Sequence, residues 1–330
     1  SNMCRLPARR LQLAKEAAYL SSEVYSHEPL ASEAQRNTSE DVRSLELLRF
    51  APKSTERPIQ WLLARSPSTL FLVFRGTDDM QDAAIDVSAV PSPSSGTEFG
   101  IGVHSGMYAA LQQDGQHVNV LEEVLKELNK HRQWHEHLIL SGHSLGGGYA
   151  QIVALHLLHR EAHDSYHSAG LLKSTAGFGN IQVHTFGAPH VVVPPPSPWA
   201  VAEFALWREL ESRSTLWVNS WDPVPRLPMC ADWLKLSVEA YIFKVCLRPE
   251  IVDTRVSMLS KYDVTGNVVM VSKTPNGACQ ARSKDACLQI TQKELLSEVP
   301  PEVLRTAGRL RAYHSMAEYL SIAEGLLPVS

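Results

Sequence analysis

The chain has 330 residues and a formal net charge of −4, and its lysines and arginines form no basic run. Nucleic acid is therefore excluded as an expected partner, because phosphate binding needs clustered basic side chains. The five cysteines are an odd number without metal-ligand spacing, so a zinc site is not expected. The length is within reach of one large α/β domain, and we predict a single domain over residues 1–330.

The N-terminal part of the chain predicts a helix. In residues 11–25, Leu13, Ala17, Leu20 and Val24 recur at helical spacing, which predicts a helix packed on the outside of the domain. No stretch reaches the roughly 18 apolar residues of a membrane-spanning helix, and the start of the chain lacks the apolar core of a signal peptide. We therefore expect a soluble protein, cytoplasmic unless an upstream segment has been removed.

The next informative element is the continuous apolar run at 69–74, which predicts a buried strand. It ends in a polar turn, Arg75-Gly76-Thr77, where glycine allows another backbone to approach closely. The N–H and hydroxyl of Thr77 can both donate to a developing negative charge. A simple turn at a strand end is the alternative.

A loop rich in proline and serine at 91–97 leads to Val-His-Ser-Gly at 103–106, which we interpret as the start of a strand. Strand-like runs at 137–141, 181–186 and 215–219 then alternate with helical stretches. This alternation predicts an α/β fold with a mostly parallel central sheet and helices on both faces.

The most specific motif is Gly-His-Ser-Leu-Gly-Gly at 142–147, between a predicted strand and a predicted helix. That context is expected of a nucleophile elbow. The sharp turn needs glycine on both sides of Ser144, and it places the serine beside the first N–H groups of the helix. Ser144 is thus the candidate nucleophile, and a glycine-rich turn in an ordinary β-α unit is the alternative.

A serine hydroxyl is a poor nucleophile, so it needs a histidine as base and an acid to orient that histidine. In hydrolases built on this elbow, the acid and then the histidine follow the serine along the chain. Asp222 directly follows a predicted strand, and His314 is the one histidine of 14 that comes after it. We predict Ser144, Asp222 and His314 as the catalytic residues, with an ordinary turn aspartate as the alternative for Asp222.

Four more residues are candidates for substrate contact: His104, His143, His190 and Trp207. His143 adjoins Ser144, but neighbouring side chains on a tight turn point apart, so it is not expected to take the serine proton. For His104 and His190 the alternative is a packed or solvated histidine. For Trp207, core packing is the alternative to a wall for an acyl chain.

Taken together, the motifs resemble class 3 lipases, the fungal-lipase-like branch of the α/β-hydrolases. The resemblance implies that fold, a triad of Ser144, Asp222 and His314, and oxyanion donors at Thr77 and Leu145. It implies no metal or organic cofactor. The motifs that carry it lie in the family's order at 74–77, 103–108, 142–147, 185–189, 219–228 and 313–314.

In lipases resembling this one, the segment after the oxyanion strand forms a lid, which here is 78–88. Met80 and Ile85 are its candidates for substrate contact. Its apolar helical face is thin and the rest is acidic, so we expect weak interfacial activation and poor activity on anionic vesicles. A loop helix without a gating role is the alternative.

Two features depart from the family pattern. His190 and a valine and proline run follow Phe-Gly-Ala-Pro, where family members continue with arginine and glycine. The stretch between Asp222 and His314 is longer than in compact fungal lipases, which predicts an insertion at about 235–300. Within it we expect a β-hairpin that turns about 265–267, followed by a polar surface segment.

The sequence therefore predicts a serine hydrolase of carboxylic esters, a triacylglycerol or acylglycerol lipase that forms an acyl-enzyme on Ser144. One alternative is a short-chain esterase or phospholipase A. An alternative of another class is a catalytically silent fold used for lipid binding or regulation. The expected partner is a lipid or ester small molecule, with transient contact to a lipid surface, and the oligomeric state is not indicated.

Overall fold

The computed structural model describes residues 8–30, 44–77, 97–112, 118–131, 137–167, 180–195, 199–219, 222, 224–226, 265–273, 279–282 and 313–326. Helices and strands alternate through these ranges. In chain order they are α1 (Ala8–Glu23), β1 (Glu46–Ala51), β2 (Trp61–Ser66), β3 (Thr69–Phe74), β4 (Gly102–Val103), α2 (Ser105–Leu111), α3 (Val120–His131), β5 (His137–His143), α4 (Leu145–His167), β6 (Asn180–Phe186), β7 (Val192–Val193), α5 (Val201–Arg213), β8 (Ser214–Asn219), a 3₁₀ turn (Val224–Arg226), β9 (Asn267–Lys273), β10 (Cys279–Arg282) and α6 (Met316–Gly325).

Within the described residues, the main sheet has eight strands in the order β1-β2-β3-β5-β6-β8-β9-β10. The central strands β3, β5, β6, β8 and β9 are parallel, and the pairs at both edges are antiparallel. β4 and β7 form a separate antiparallel pair. The carboxyl ends of β3, β5, β6 and β8 therefore meet at one edge of the sheet, where ligands of open α/β sheets bind.

Alternate residues of the strands supply two separate cores, because successive side chains point to opposite faces of a sheet. In β3, Leu70 and Leu72 pack on the face covered by α2, α3, α4 and α5. Phe71 and Val73 pack on the opposite face, against α1 and α6. The predicted sheet with helices on both faces is thus present, and the N-terminal helix covers the second face with buried Leu13, Ala17, Leu20 and Val24.

The hairpin predicted within 235–300 is present, but its turn was placed wrongly. Residues 265–267 lead into β9, and β9 pairs with β10 across residues 274–278. Because β9 also pairs with β8 in parallel, the hairpin extends the main sheet. Its second strand, β10, belongs to this sheet, where a polar surface segment was expected after the hairpin. The remainder of the predicted insertion lies outside the described residues, so the insertion stays a prediction.

The interpretation of 103–106 as the start of a strand was also wrong. Val103 ends the two-residue strand β4, and α2 begins at Ser105. His104 caps this helix, since its Nδ1 accepts a hydrogen bond from the Met107 N–H at 3.3 Å.

The predicted lid at 78–88, with Met80 and Ile85, lies outside the described residues. No helix in the described part of the chain is both long enough and apolar enough to cross a membrane.

Candidate active site

Ser144 lies at the turn between β5 and α4, at the carboxyl edge of the sheet. Its φ of 57° is in the left-handed region, which is uncommon for a residue other than glycine. A Cβ on Gly142 or Gly146 would collide with backbone: the backbone of Gly146 for Gly142, and the Phe74 carbonyl for Gly146. The glycines of the motif thus allow the strained turn that presents the Ser144 side chain, as predicted for a nucleophile elbow.

His314 lies beside Ser144, just before α6. Its Nε2 is 2.9 Å from Ser144 Oγ, and its Nδ1 is 2.9 Å from each carboxylate oxygen of Asp222. All three residues are buried. The structure therefore brings together, in one hydrogen-bonded series, the serine, histidine and aspartate that were selected from the sequence by chain order.

The carboxylate of Asp222 is 0% exposed, and protein donors surround it. Besides His314, the Val224 N–H donates to Oδ1 at 2.9 Å and the Tyr319 hydroxyl donates to Oδ2 at 2.6 Å. The Tyr319 oxygen in turn accepts the Asn219 N–H at 2.8 Å. A buried carboxylate needs such donors to remain charged, so Tyr319 and Val224 support the acid that orients His314.

Sequence reasoning missed Tyr319. It lies on α6, where an isolated tyrosine among apolar residues is typical of core packing, and its ring does pack in the core beside Phe186. Nothing in the local sequence pattern separates such a residue from one whose hydroxyl reaches a catalytic acid. Only the convergence of α6 with the end of β8 brings Tyr319 to Asp222.

His143 does not have the contacts expected of a group that touches substrate. It is buried, with Nδ1 3.1 Å from the Tyr25 hydroxyl and Nε2 2.6 Å from the His314 carbonyl oxygen. Burial, and to a smaller extent the neighbouring His314, lowers the pKa of His143 well below its ordinary value. Because both of its ring nitrogens bond to protein groups, His143 is placed to support neighbouring residues of the site rather than to contact substrate.

The segments that carry the two predicted oxyanion donors adjoin Ser144. Leu145 is the first residue of α4, where N–H groups have no acceptor within the helix. Thr77 follows Gly76, and a Cβ built on Gly76 would lie 3.0 Å from the Cβ of Ser144. The loop after β3 therefore passes directly beside the serine, and the absence of a side chain at Gly76 permits this approach.

The other candidates have structural contacts. The His104 side chain caps α2, and the His104 backbone N–H donates to the Val191 carbonyl at 2.9 Å. Trp207 is partly buried against the core on the α4 side, next to Phe204, which matches the core-packing alternative. His190 is 3% exposed, in the segment between β6 and β7. Within the described ranges, no three His, Cys, Asp or Glu side chains are grouped so as to hold a metal ion.

The chemistry available to this arrangement is nucleophilic. His314 Nε2 can accept the Ser144 proton, and Asp222 can stabilise the resulting imidazolium. Ser144 has a left-handed conformation at a strand-to-helix turn, and Asp222 follows a later strand. Both lie at the carboxyl edge of a mostly parallel sheet. This arrangement defines a protein of the α/β-hydrolase fold.

Comparison with known proteins relates this chain to the class 3 lipases. Residues 71–232 match the family described as Lipase (class 3). It is 31% identical over 208 residues to a lipase from Rhizomucor miehei, a match that covers 62% of this chain and 49% of the relative. The chain thus spans about half of the length of this relative.

Solved structures of fungal lipases have a similar fold. The triacylglyceride lipase of Rhizomucor miehei is 16% identical with a TM-score of 0.54, over 98% of this chain and all of that one (100%). A triacylglycerol lipase whose catalytic centre is described as a serine protease triad is 18% identical with a TM-score of 0.55, over 88% of this chain and 92% of the other. At these identities the likeness concerns the fold alone, and the predicted α/β-hydrolase fold is confirmed.

Proposed function

We propose that this chain is a serine hydrolase of carboxylic esters, with acylglycerols as its substrate class. The observation that carries the proposal is the hydrogen-bonded series from Ser144 Oγ through His314 to Asp222, with 2.9 Å at each step. The match of residues 71–232 to the class 3 lipase family supports the ester class of substrate.

In the proposed mechanism, Ser144 Oγ attacks the ester carbonyl carbon while His314 Nε2 takes the serine proton. The tetrahedral intermediate collapses, the bond to the alcohol oxygen breaks, and His314 returns the proton to that oxygen. Water then attacks the acyl-enzyme, again through His314, and releases the carboxylic acid and free Ser144. Asp222 keeps Nδ1 protonated and stabilises the imidazolium in both steps.

Negative charge on the carbonyl oxygen of the intermediate needs donors aimed at it. In the proposal, the Leu145 N–H supplies one, because it lies at the start of α4, where the helix dipole also favours negative charge. The N–H and hydroxyl of Thr77 supply the other. Loss of a donor of this kind costs roughly a hundred- to a thousandfold in turnover.

Relatives in the family carry the names lipase and triacylglycerol lipase, and these names support acylglycerols as substrates. The acidic composition of 78–88, and the thin apolar face that its sequence predicts, favour the alternative of a short-chain esterase or phospholipase A. A catalytically silent fold is the less favoured reading, because the Ser144, His314 and Asp222 side chains are in hydrogen-bonding contact.

The test is hydrolysis of p-nitrophenyl esters from acetate to palmitate by the wild type and by Ser144→Ala. We expect the wild type to turn over part of the series, and the variant to fold normally and to lose turnover. Ser141→Ala is the matched control, because this buried serine on β5 bonds to Ser21 and the His184 carbonyl instead. The chain-length optimum separates lipase from short-chain esterase, and unchanged activity in Ser144→Ala would contradict the proposal.

A further inference from the structure

A partly buried series of hydrogen bonds connects the loop after β3 to the backbone of His314. The Gly76 N–H donates to the Tyr25 hydroxyl oxygen at 3.1 Å, and this oxygen lies 3.1 Å from His143 Nδ1. On the other side of the ring, His143 Nε2 lies 2.6 Å from the His314 carbonyl oxygen. Both ends adjoin Ser144: Gly76 packs beside its Cβ, and the His314 ring bonds to its Oγ.

The chemistry of the two ends determines where each proton lies. A carbonyl oxygen can only accept, so His143 Nε2 must carry the proton that bonds to His314. In a neutral ring Nδ1 is then an acceptor, and the Tyr25 hydroxyl donates to it. The Tyr25 oxygen is left to accept the Gly76 N–H. Every donor in the series has an acceptor, and a single tautomer of His143 satisfies the whole of it.

The backbone that carries His314 is held by side chains from other elements. Asn219 Nδ2 donates to the Tyr313 carbonyl at 3.0 Å, and His143 donates to the next carbonyl along the chain. A shift of this backbone moves Nε2 away from Ser144 Oγ, and proton transfer depends steeply on that distance.

The His143 ring is also well suited to lie beside a histidine that becomes charged. Its centroid is 4.6 Å from that of His314, and the planes are tilted by 35°. Burial lowers the pKa of His143 well below its ordinary value, so the ring stays neutral. It therefore holds the His314 backbone without placing a second positive charge next to the imidazolium that forms during turnover.

We propose that Tyr25 and His143 are positioning residues that align the His314 backbone and the Gly76–Thr77 loop on either side of Ser144. The proposal rests on the proposed ester hydrolysis. Neither residue touches the reacting atoms in this scheme. Tyr25 and His143 act as one unit, because each completes the hydrogen bonds of the other.

Tyr25→Phe tests the series with little change in packing. We expect kcat for p-nitrophenyl butyrate to fall roughly ten- to a hundredfold, with KM nearly unchanged, because alignment for chemistry is lost while the substrate site is not. Tyr19→Phe is the matched control on α1, the helix that ends just before Tyr25, since the buried Tyr19 hydroxyl has no hydrogen-bond partner among the described residues. Its kcat should equal that of the wild type.

Variants of His143 separate positioning from packing. His143→Leu should lose at least as much kcat as Tyr25→Phe, and His143→Gln should recover part of it, because an amide can accept from Tyr25 and donate to the His314 carbonyl. The double variant Tyr25→Phe/His143→Leu should be no slower than His143→Leu alone.

Three results would overturn the positioning role: wild-type kcat in Tyr25→Phe, no recovery in His143→Gln, or losses that multiply in the double variant. These results require a wild type that is active, so they leave the proposed function standing. A wild type that is silent towards every ester would overturn both proposals.

Discussion

Among the described residues, His314, His143 and His184 are buried histidines whose hydrogen-bond partners give them different roles. His314 bonds to Ser144 and Asp222, and His143 bonds to Tyr25 and a backbone carbonyl. His184, on β6, accepts the Trp217 Nε1–H at 3.3 Å and stacks on that ring. The residue type is the same in each case. Which ring nitrogen carries a proton therefore depends on the neighbouring groups, and these come from distant parts of the chain.

His184 makes a testable contribution to pH-dependent stability. Burial, together with the nearby Arg10 charge, lowers the pKa of His184 from its ordinary value of 6.5, which it has in the unfolded chain, to about 3. Below about pH 6.5 the unfolded state therefore binds a proton that the folded state rejects. The stabilisation is fully present above pH 6.5 and is lost as the pH falls towards about 3, by up to about 1.4 kcal/mol per pH unit.

His184→Gln should make the free energy of unfolding less steeply dependent on pH between about 6.5 and 4, since the amide oxygen can still accept from Trp217. Urea titrations of both proteins at several pH values measure the slopes. His27→Gln, at an exposed position, controls for the loss of a histidine. Equal slopes for wild type and His184→Gln would show that His184 does not carry this effect.

At the scale of elements, the glycines after Ser144 determine how closely α4 approaches the sheet. The space beside Gly146 is occupied by the Phe74 carbonyl at the end of β3, and a Cβ on Gly147 would lie 3.0 Å from the Gly142 carbonyl. Gly148 faces α2 instead, where a Cβ would lie 2.6 Å from the terminal methyl of Met107. The motif is readable from the sequence, but the neighbour of each glycine is not.

We expect Gly146→Ala and Gly148→Ala to differ strongly, although both replace a helical glycine. The first places a methyl group against backbone that cannot move alone, and should cost about 3 kcal/mol of the free energy of unfolding. The second meets a flexible methionine, and the gain in helix propensity of about 1 kcal/mol offsets part of the cost. Urea denaturation measures both, and a smaller loss in Gly146→Ala than in Gly148→Ala would contradict this packing.

Boundaries of elements were harder to predict than their existence. The apolar runs of β3, β5, β6 and β8 were recognised because buried parallel strands read as continuous hydrophobic stretches. The helix α2 was missed, because its N-terminal cap is the side chain of His104, which is not a typical capping residue. The hairpin turn was placed at Gly266, whose φ of 90° instead serves the entry into β9 beside Ser214.

On the scale of the whole molecule, the site combines parts that are far apart in sequence. Ser144 follows β5, Asp222 follows β8, and His314 precedes α6, which packs with α1 on one face of the sheet. Tyr25, just after α1, reaches the same place from the other end of the chain. The second core therefore does more than stabilise the fold, because its two helices also bring Tyr25 and Tyr319 to the candidate site.

The composition of 78–88 leads to a prediction about the complete protein acting on lipid. Its sequence predicts a helical face whose alanines would bury little area at a lipid surface, and its aspartates are repelled by anionic lipid. We expect the rate on tributyrin to rise smoothly through the solubility limit of the substrate, and activity on anionic vesicles to be poor. A pH-stat titration across that limit measures the effect, and a sharp jump in rate there would contradict the prediction.

The sequence by itself determined the fold class, the positions of the main strands along the chain and the identity of the Ser144, Asp222 and His314 candidates. These follow from local patterns: apolar periodicity, the glycines that a sharp turn needs, and the order of acid and histidine along the chain. Only the tertiary structure decided which groups support them, namely Tyr25, His143, Asn219 and Tyr319. Hydrogen bonds between residues 51 to 171 positions apart leave no periodic signal, since each depends on how two elements pack rather than on the sequence around either residue.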